Sequence, residues 1–138
     1  MLTDAQGRPL LIRVTAANDD ERQQVLPMLK HLRQATGKAP RILQADRGYD
    51  AEWLRFKASW LLNVRTAIPR RQYDEARKGQ YRKPVQSVEN DRWKVERAFA
   101  WLYRTYKRLT QRCERKPANF RAFTQAALAH FWMRKVLG

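Results

Sequence analysis

Cysteine and histidine are scarce in this sequence of 138 residues: Cys113 is the single cysteine, and His31 and His130 are the two histidines. One cysteine excludes a disulfide within the chain, and so few sulfur and imidazole ligands argue against a zinc site. No apolar run reaches the about 18 residues of a membrane-spanning helix, and nothing like a signal peptide follows Met1. The sequence therefore predicts a soluble, cytoplasmic protein without a membrane partner.

Acidic side chains are outnumbered, since 13 Asp and Glu stand against 29 Lys and Arg, for a formal net charge of +16. A field of that sign attracts a polyanion, so nucleic acid is the first partner to consider. Residues 1–50 carry eight basic and six acidic side chains (net +2), residues 51–87 nine and three (+6), and residues 88–138 twelve and four (+8). The middle and C-terminal parts are therefore expected to meet double-stranded DNA.

The beginning of the chain predicts a hairpin followed by a helix. Residues 1–3 form a short strand, residues 4–7 a glycine-containing turn, and residues 10–15 a second strand. Helical spacing of apolar residues follows and ends at Gly37. Because proline is tolerated in the first turn of a helix but not in its middle, the regular helix is expected to begin near Pro27.

Residues 41–69 alternate between strand and helix. Arg41–Ala45 and Val64–Ile68 read as strands, and the helix between them is expected to be capped by Asp50. Strand, helix, strand in this order is typical of a parallel pair in a mixed α/β domain. Residues 1–69 are therefore predicted to form a strand and helix core, with Asp46 directly after one strand.

Residues 70–86 have no apolar periodicity and read as a basic loop. Its basic side chains are Arg70, Arg71, Arg77, Lys78, Arg82 and Lys83, with Tyr73 and Tyr81 between them. Two interpretations stay open for this loop. It either contacts DNA or serves as a solvated connection.

Residues 87–138 read as helices with one apolar and one basic face. The apolar face is formed by Val95, Phe99, Leu102, Tyr106 and Leu109, and the other by Arg97, Trp101, Arg104, Arg108, Arg112 and Arg115. One helix is predicted to carry both faces, and a last helix after Pro117 to pack on the core. Trp101 has two possible roles, because it can pack in the core or stack on a splayed base.

Two carboxylates are candidates for metal ligands. Asp46 ends a strand at a glycine-containing turn, and Glu96 follows Val95 beside the apolar face of a helix. If both point into one cleft, their oxygens suit Mg²⁺ or Mn²⁺. The alternatives are a turn or cap role for Asp46 and an ion pair with Arg92 or Lys94 for Glu96.

Three segments in this order, LTDAQGRPLLIRVTAAND, ILQADRGYDAEWL and DRWKVERAFAWLYRTYKRLTQRCER, closely resemble the catalytic domain of DDE transposases of bacterial insertion sequences. The resemblance implies an RNase H-like fold, two divalent cations, and cutting and joining of DNA strands. Asp46 in ADRGYD matches the second acidic residue of the family's triad, and Glu96 in RWKVER matches the third. Arg92 matches the arginine of the family's Arg-x-x-x-Glu signature.

The chain also departs from the family's pattern. The strand with the first catalytic Asp would fall upstream of Met1, so the RNase H-like sheet is expected to be partial, and Glu89 and Tyr103 occupy the signature's Tyr and Lys positions. Three ways of covering that edge stay open: an upstream transposase polypeptide supplies the strand and the Asp, the chain rearranges, or it oligomerises along the edge. In function, the chain is either a transposase half that works with the upstream product or an inactive remnant that binds DNA non-specifically. An unrelated basic RNA- or DNA-binding protein is the third alternative. The expected DNA contacts are Arg70, Arg71, Arg92, Lys94, Arg97, Trp101, Arg104 and Arg108.

Overall fold

The computed structural model describes residues 1–70, 92–111, 114 and 116–137, with Arg92 described by its backbone only. These residues form two compact units, which we call the terminal unit (Met1–Asp19 with Trp93–Gly138) and the central unit (Asp20–Arg92). The strands of the described residues are β1 (Leu2–Thr3), β2 (Pro9–Leu11), β3 (Ile42–Gln44) and β4 (Arg65–Ala67). The helices are α1 (Glu21–Thr36), α2 (Glu52–Leu62), α3 (Arg92–Thr105), α4 (Lys107–Thr110) and α5 (Pro117–Leu137), and Arg47–Tyr49 form a 3₁₀ turn.

The predicted hairpin is present in the terminal unit, where β1 and β2 are antiparallel with Leu2 opposite Leu11. The second strand ends at Leu11 rather than near residue 15, because β1 offers only two residues to pair with. The Asp4 carboxylate organises the turn by accepting the backbone N–H groups of Gln6 and Arg8, both at 2.9 Å. Gly7 adopts a φ of 79°, a conformation that favours glycine.

The long helix predicted after residue 87 is interrupted at Tyr106, whose φ of −119° and ψ of 85° are not helical. The hydroxyl of Thr110 donates to the carbonyl oxygen of Tyr103 at 3.0 Å, which satisfies an acceptor close to the break. Tyr106 instead hydrogen-bonds to the His130 ring on α5. The prediction of one continuous helix is therefore wrong, because α3 ends at Thr105 and α4 begins at Lys107, with the non-helical Tyr106 between them.

The core of the terminal unit lies between α3, α4 and α5. Leu102, Leu109 and Ala127 are buried there, and Trp101 and Phe123 are among the half-buried residues around them. Pro117 occupies the first position of α5, where its missing N–H costs no helical hydrogen bond. The indole Nε1 of Trp132 donates to the carbonyl oxygen of Pro9 at 2.8 Å, so α5 also fixes β2.

Helix α1 begins at Glu21, six residues before Pro27, so the prediction that it begins near the proline is wrong. Asp20 caps the helix by accepting the backbone N–H of Arg22 at 3.0 Å, and this cap sets the first turn earlier. Pro27 then stands inside the helix, which loses one backbone hydrogen bond there. Gly37 ends the helix with a φ of 71°, as predicted.

The parallel pair predicted in the central unit is confirmed: β3 and β4 are parallel, with Leu43 opposite Thr66. Helix α2 connects them and buries Leu54, Ala58 and Leu62, which recur every four residues along one face. Asp50 does not cap this helix, contrary to the prediction. Ala51 occupies the cap position, because the Asp50 carboxylate is paired with the Arg55 guanidinium at 2.5 Å.

The observed fold class is mixed α/β, as predicted, with two small two-stranded sheets in the part of the chain that the structure describes. None of the helices in that part is both long and apolar enough to cross a membrane.

Candidate catalytic carboxylates and basic surface

Asp46 lies two residues after the end of β3, at Gln44, and caps the 3₁₀ turn Arg47–Tyr49. Its Oδ1 accepts the backbone N–H of Gly48 at 2.7 Å, and its carbonyl oxygen accepts the N–H of Tyr49 at 3.1 Å. The cap role considered from the sequence is thus present. It fixes the carboxylate without burying it, since Asp46 is exposed. An exposed, oriented carboxylate at the end of a strand keeps its capacity to bind a cation.

Gly48 permits this arrangement. An ideal Cβ at residue 48 would lie 2.8 Å from Asp46 Oδ1, closer than a carbon and an oxygen normally approach. A side chain at residue 48 would therefore require the Asp46 carboxylate to shift. The sequence places Gly48 in the turn after Asp46, but it does not show this close approach.

Tyr49 ties the same turn to α1. Its hydroxyl donates to Oε2 of Glu21 at 3.1 Å. Burial of the ring, followed by the nearby carboxylates of Glu21 and Asp46, raises the pKa of Tyr49 to about 12. The phenol therefore stays protonated and remains a hydrogen-bond donor through the neutral range. This anchor was not predicted, because Glu21 and Tyr49 are 28 residues apart in the sequence.

Glu96 is exposed on α3, and the hairpin turn packs against the residues on either side of it. A Cβ on Gly7 would lie 3.1 Å from both Cβ and the carbonyl oxygen of Lys94, so the turn approaches the helix backbone as closely as a glycine allows. Nη2 of Arg97 donates to the carbonyl oxygen of Gln6 at 2.8 Å. The hairpin thus positions the segment of α3 that carries Glu96.

The residues predicted to contact DNA have different surroundings. The Arg97 guanidinium stacks over Trp93 at 4.4 Å besides its bond to Gln6. That of Arg108 lies 3.3 Å from the buried carboxylate of Glu114 and 4.6 Å from the centre of the Phe123 ring. Both guanidinium groups therefore take part in holding the terminal unit together.

Other members of that set differ again. Arg70 and Arg104 are exposed and Lys94 is half-buried, whereas Arg71 and the Arg92 side chain lie outside what the structure describes. Except for Arg70, the predicted basic loop 70–86 also lies outside it. Trp101 is half-buried with its ring edge-on to Phe131 at 4.8 Å, which favours the packing role over base stacking.

Asp46 belongs to the central unit and Glu96 to the terminal unit, so the structure describes each carboxylate in its own surroundings. Within the described ranges, no group of three or more His, Cys, Asp or Glu side chains could hold a metal ion. The carboxylates are two oxygen donors of the type that Mg²⁺ or Mn²⁺ prefers, and a complete set of ligands needs more.

Comparison with known proteins identifies the family. The model of the transposase DDE domain matches residues 1–132. A candidate transposase for insertion sequence element IS402 of Burkholderia cepacia is 33% identical over 130 residues, which cover 89% of this chain and 56% of that protein. The chain thus spans about half the length of this curated relative, and no solved structure matches it. Because the family match covers nearly every residue, this chain belongs to the DDE transposases of insertion sequences.

Proposed function

We propose that this chain is the C-terminal part of an enzyme that cuts and joins DNA strands during transposition, on an RNase H-like fold. The observation that carries this proposal is the Asp46 turn. An exposed carboxylate, fixed two residues after the end of a parallel strand, stands at the position that matches the family's second catalytic acid.

Asp46 and Glu96 are proposed as two of the protein ligands for Mg²⁺ or Mn²⁺. The cations, when bound, would offset the charge that develops on the attacking and leaving oxygens of a phosphodiester. This chain presents the Asp46 carboxylate in a fixed orientation through Gly48 and Tyr49. It carries Glu96 on the segment of α3 against which the hairpin packs. A third carboxylate is proposed to come from an upstream transposase segment, in keeping with the chain's match to about half of its relative.

Double-stranded DNA is the proposed partner, because the net charge of +16 favours a polyanion. Arg70, Arg71, Arg92, Lys94 and Arg104 are proposed to contact phosphates. Arg97 on α3 and Arg108 on α4 are exposed as well. Each already contacts a protein partner, so a phosphate contact would either be added to that contact or replace it.

The test is strand cutting by the chain joined to an upstream segment that carries the missing strand and Asp. The joined protein is expected to cut and join DNA only with Mg²⁺ or Mn²⁺, and Asp46→Asn or Glu96→Gln is expected to abolish both reactions. Asp19→Asn is the matched control, because Asp19 is an exposed carboxylate outside the proposed site that accepts a loop N–H, that of Ala16 at 3.2 Å. Activity that survives both site substitutions would show that the site lies elsewhere.

A remnant that binds DNA without chemistry is the second candidate. It would keep DNA binding, which follows from the net charge of +16, and would lose only the chemistry. A joined protein that folds and binds DNA but stays inert with either metal would support the remnant over the enzyme.

A further inference from the structure

Helix α2 presents an aromatic face to solvent. Trp53, Phe56 and Trp60 follow each other at steps of three and four residues, which places them on one side of the helix, and they are 38%, 64% and 73% exposed. The opposite side of the same helix is the one that buries Leu54 and Ala58. Leaving large apolar rings exposed to water is unfavourable, so three of them on one face indicate a surface that binds a partner.

The two most exposed rings, those of Phe56 and Trp60, stack against each other, and this ring pair is called the platform. The ring centres of Phe56 and Trp60 are 6.1 Å apart and their planes differ by only 15°. The Lys57 ammonium lies 5.7 Å from the centre of the Trp53 ring, so a cation borders the platform on one side. Parallel, exposed rings beside a cation can stack nucleobases while the charge attracts the backbone.

A cleft of about 300 Å³ opens on the other side of the platform, between α2 and the parallel strands. Ser59, which neighbours Phe56 on the helix surface, lines it together with Ile42 and Arg65. Another guanidinium of the cleft, that of Arg55, is committed to Asp50 and to the carbonyl oxygen of Ile68. The Arg65 side chain is exposed and makes no hydrogen bond or ion pair within the described ranges, so it is the cation available to a ligand.

We propose that this surface of the central unit, formed by Phe56, Trp60, Lys57, Ser59 and Arg65, binds single-stranded DNA. Bases would stack on the two rings, and phosphates would meet Lys57 and Arg65. The proposal rests on the proposed function in one respect, namely that DNA is the partner.

Charge favours this occupant over a second copy of the chain. Docking two copies would bring together two molecules of net charge +16, each with cations at the border of the surface. Glu52, one turn before Phe56, is an acidic residue of the same helix, and the two flanking cations outweigh it. A single strand also offers what the surface needs, unpaired bases for the rings and anions for the cations.

The experiment compares the binding of the complete chain to a labelled oligothymidine of about 12 nucleotides, a length within the site sizes of single-strand binding modules, with its binding to a duplex. Phe56→Ala combined with Trp60→Ala is expected to weaken oligothymidine binding by about tenfold or more and duplex binding less than about twofold, because stacking requires unpaired bases. The single substitution Trp60→Phe, with Phe56 retained, should keep most of the oligothymidine affinity that the double variant loses. Val136→Ala is the control, since Val136 is 77% exposed on α5 with no role in the surface.

Equal oligothymidine affinity of the double variant and the unaltered chain, with both folded by circular dichroism, would overturn the proposal. So would a dimer in sedimentation that the ring substitutions dissociate while oligothymidine binding persists, since the surface would then belong to a second copy. These results are independent of strand cutting. The proposed function would be upheld if Asp46→Asn makes the joined protein inert. This inference would nevertheless be removed if the ring variant binds oligothymidine as the unaltered chain does.

Discussion

The Asp46 carboxylate lies directly against Gly48: Oδ1 accepts the Gly48 N–H at 2.7 Å, and a Cβ at residue 48 would lie 2.8 Å from the same oxygen. The hydrogen bond and the glycine therefore act together on the carboxylate. The N–H fixes the direction of the carboxylate, and the missing side chain leaves room for it.

Gly48→Ala is expected to displace the Asp46 carboxylate with little loss of stability, because the turn is exposed. In the joined protein, Mn²⁺ affinity and strand cutting should each fall by about tenfold or more, as for other substitutions that misplace a ligand. Gly37→Ala is the matched control. It places a side chain in open space at a φ of 71°, so it should cost roughly 1 kcal/mol of stability and leave metal affinity unchanged. Unaltered Mn²⁺ affinity in Gly48→Ala would show that the approach of the two groups does not matter for the site.

The Tyr49–Glu21 contact predicts a pH dependence at the alkaline end. Because the pKa of Tyr49 is raised to about 12 in the folded chain, the unfolded chain ionises first, near the ordinary value of 10. The contribution of Tyr49 to stability is therefore complete below about pH 10 and is lost as the pH rises toward 12. Tyr49→Phe should remove this part of the pH dependence and cost about 1 kcal/mol or less at neutral pH.

The measurement is urea unfolding of both proteins between pH 8 and about pH 12, where the pKa of Tyr49 lies. Glu21→Gln provides the control, because it keeps an acceptor for the hydroxyl and removes a charge that raises the pKa. Parallel stability curves for the unaltered chain and Tyr49→Phe across this range would contradict the assignment.

Local signals in the sequence were sufficient for several elements. Gly37 marks the end of α1, and the β-branched and apolar runs around residues 42 and 66 mark the parallel strands. Asp46 could be located at a strand end for the same reason. Each of these inferences depends on residues that are close in sequence.

The errors arose where a competing contact decided the outcome. Asp50 has the side chain of a helix cap, but Arg55 takes its carboxylate. Tyr106 fits the apolar period of one long helix, but its contact with His130 coincides with a break. Likewise, nothing in the spacing of Arg97 reveals that a backbone carbonyl of the hairpin, 91 residues away in sequence, accepts its guanidinium. Such partners are set by tertiary structure, which periodicity does not encode.

Acid should loosen the hairpin turn through Asp4. Burial alone would raise the pKa of Asp4, but the hydrogen bonds from Arg8 and Gln6 and the Arg8 charge outweigh it and lower the pKa below the ordinary value. The stabilisation is therefore present above the unfolded pKa of about 3.9 and is lost as the pH falls through the lower, folded value. Asp4→Asn should be less stable than the unaltered chain at pH 7 and nearly equal to it in strong acid. A constant difference in thermal unfolding at both pH values would rule out this carboxylate as the cause.

Arg97→Gln is expected to destabilise the terminal unit by about 1–2 kcal/mol. The substitution removes the hydrogen bond to the Gln6 carbonyl and the stacking over Trp93, and each such contact contributes roughly 0.5–1.5 kcal/mol. Lys135→Gln, at the exposed end of α5, removes the same charge without such partners and should change stability by less than about 0.5 kcal/mol. Equal unfolding midpoints in urea for the two variants would show that the contacts of Arg97 do not stabilise the terminal unit.

Arg104 is expected to act on DNA and not on stability, because its exposed side chain lies on α3 away from the hairpin contacts of Arg97. If the chain neutralises about six phosphates of a duplex, the logarithm of the binding constant should fall against the logarithm of the salt concentration with a slope near −5. Arg104→Gln should reduce that slope by about 1 and weaken binding to all sequences alike, since a phosphate contact carries no base preference. The unfolding midpoint should stay unchanged. Lys135→Gln is the control that distinguishes a direct phosphate contact from the effect of net charge. It lowers the net charge by the same amount at a position outside the proposed DNA contacts. The same reduction in slope for both variants would mean that duplex affinity reflects net charge alone, and an unaltered slope for Arg104→Gln would remove this arginine from the DNA surface.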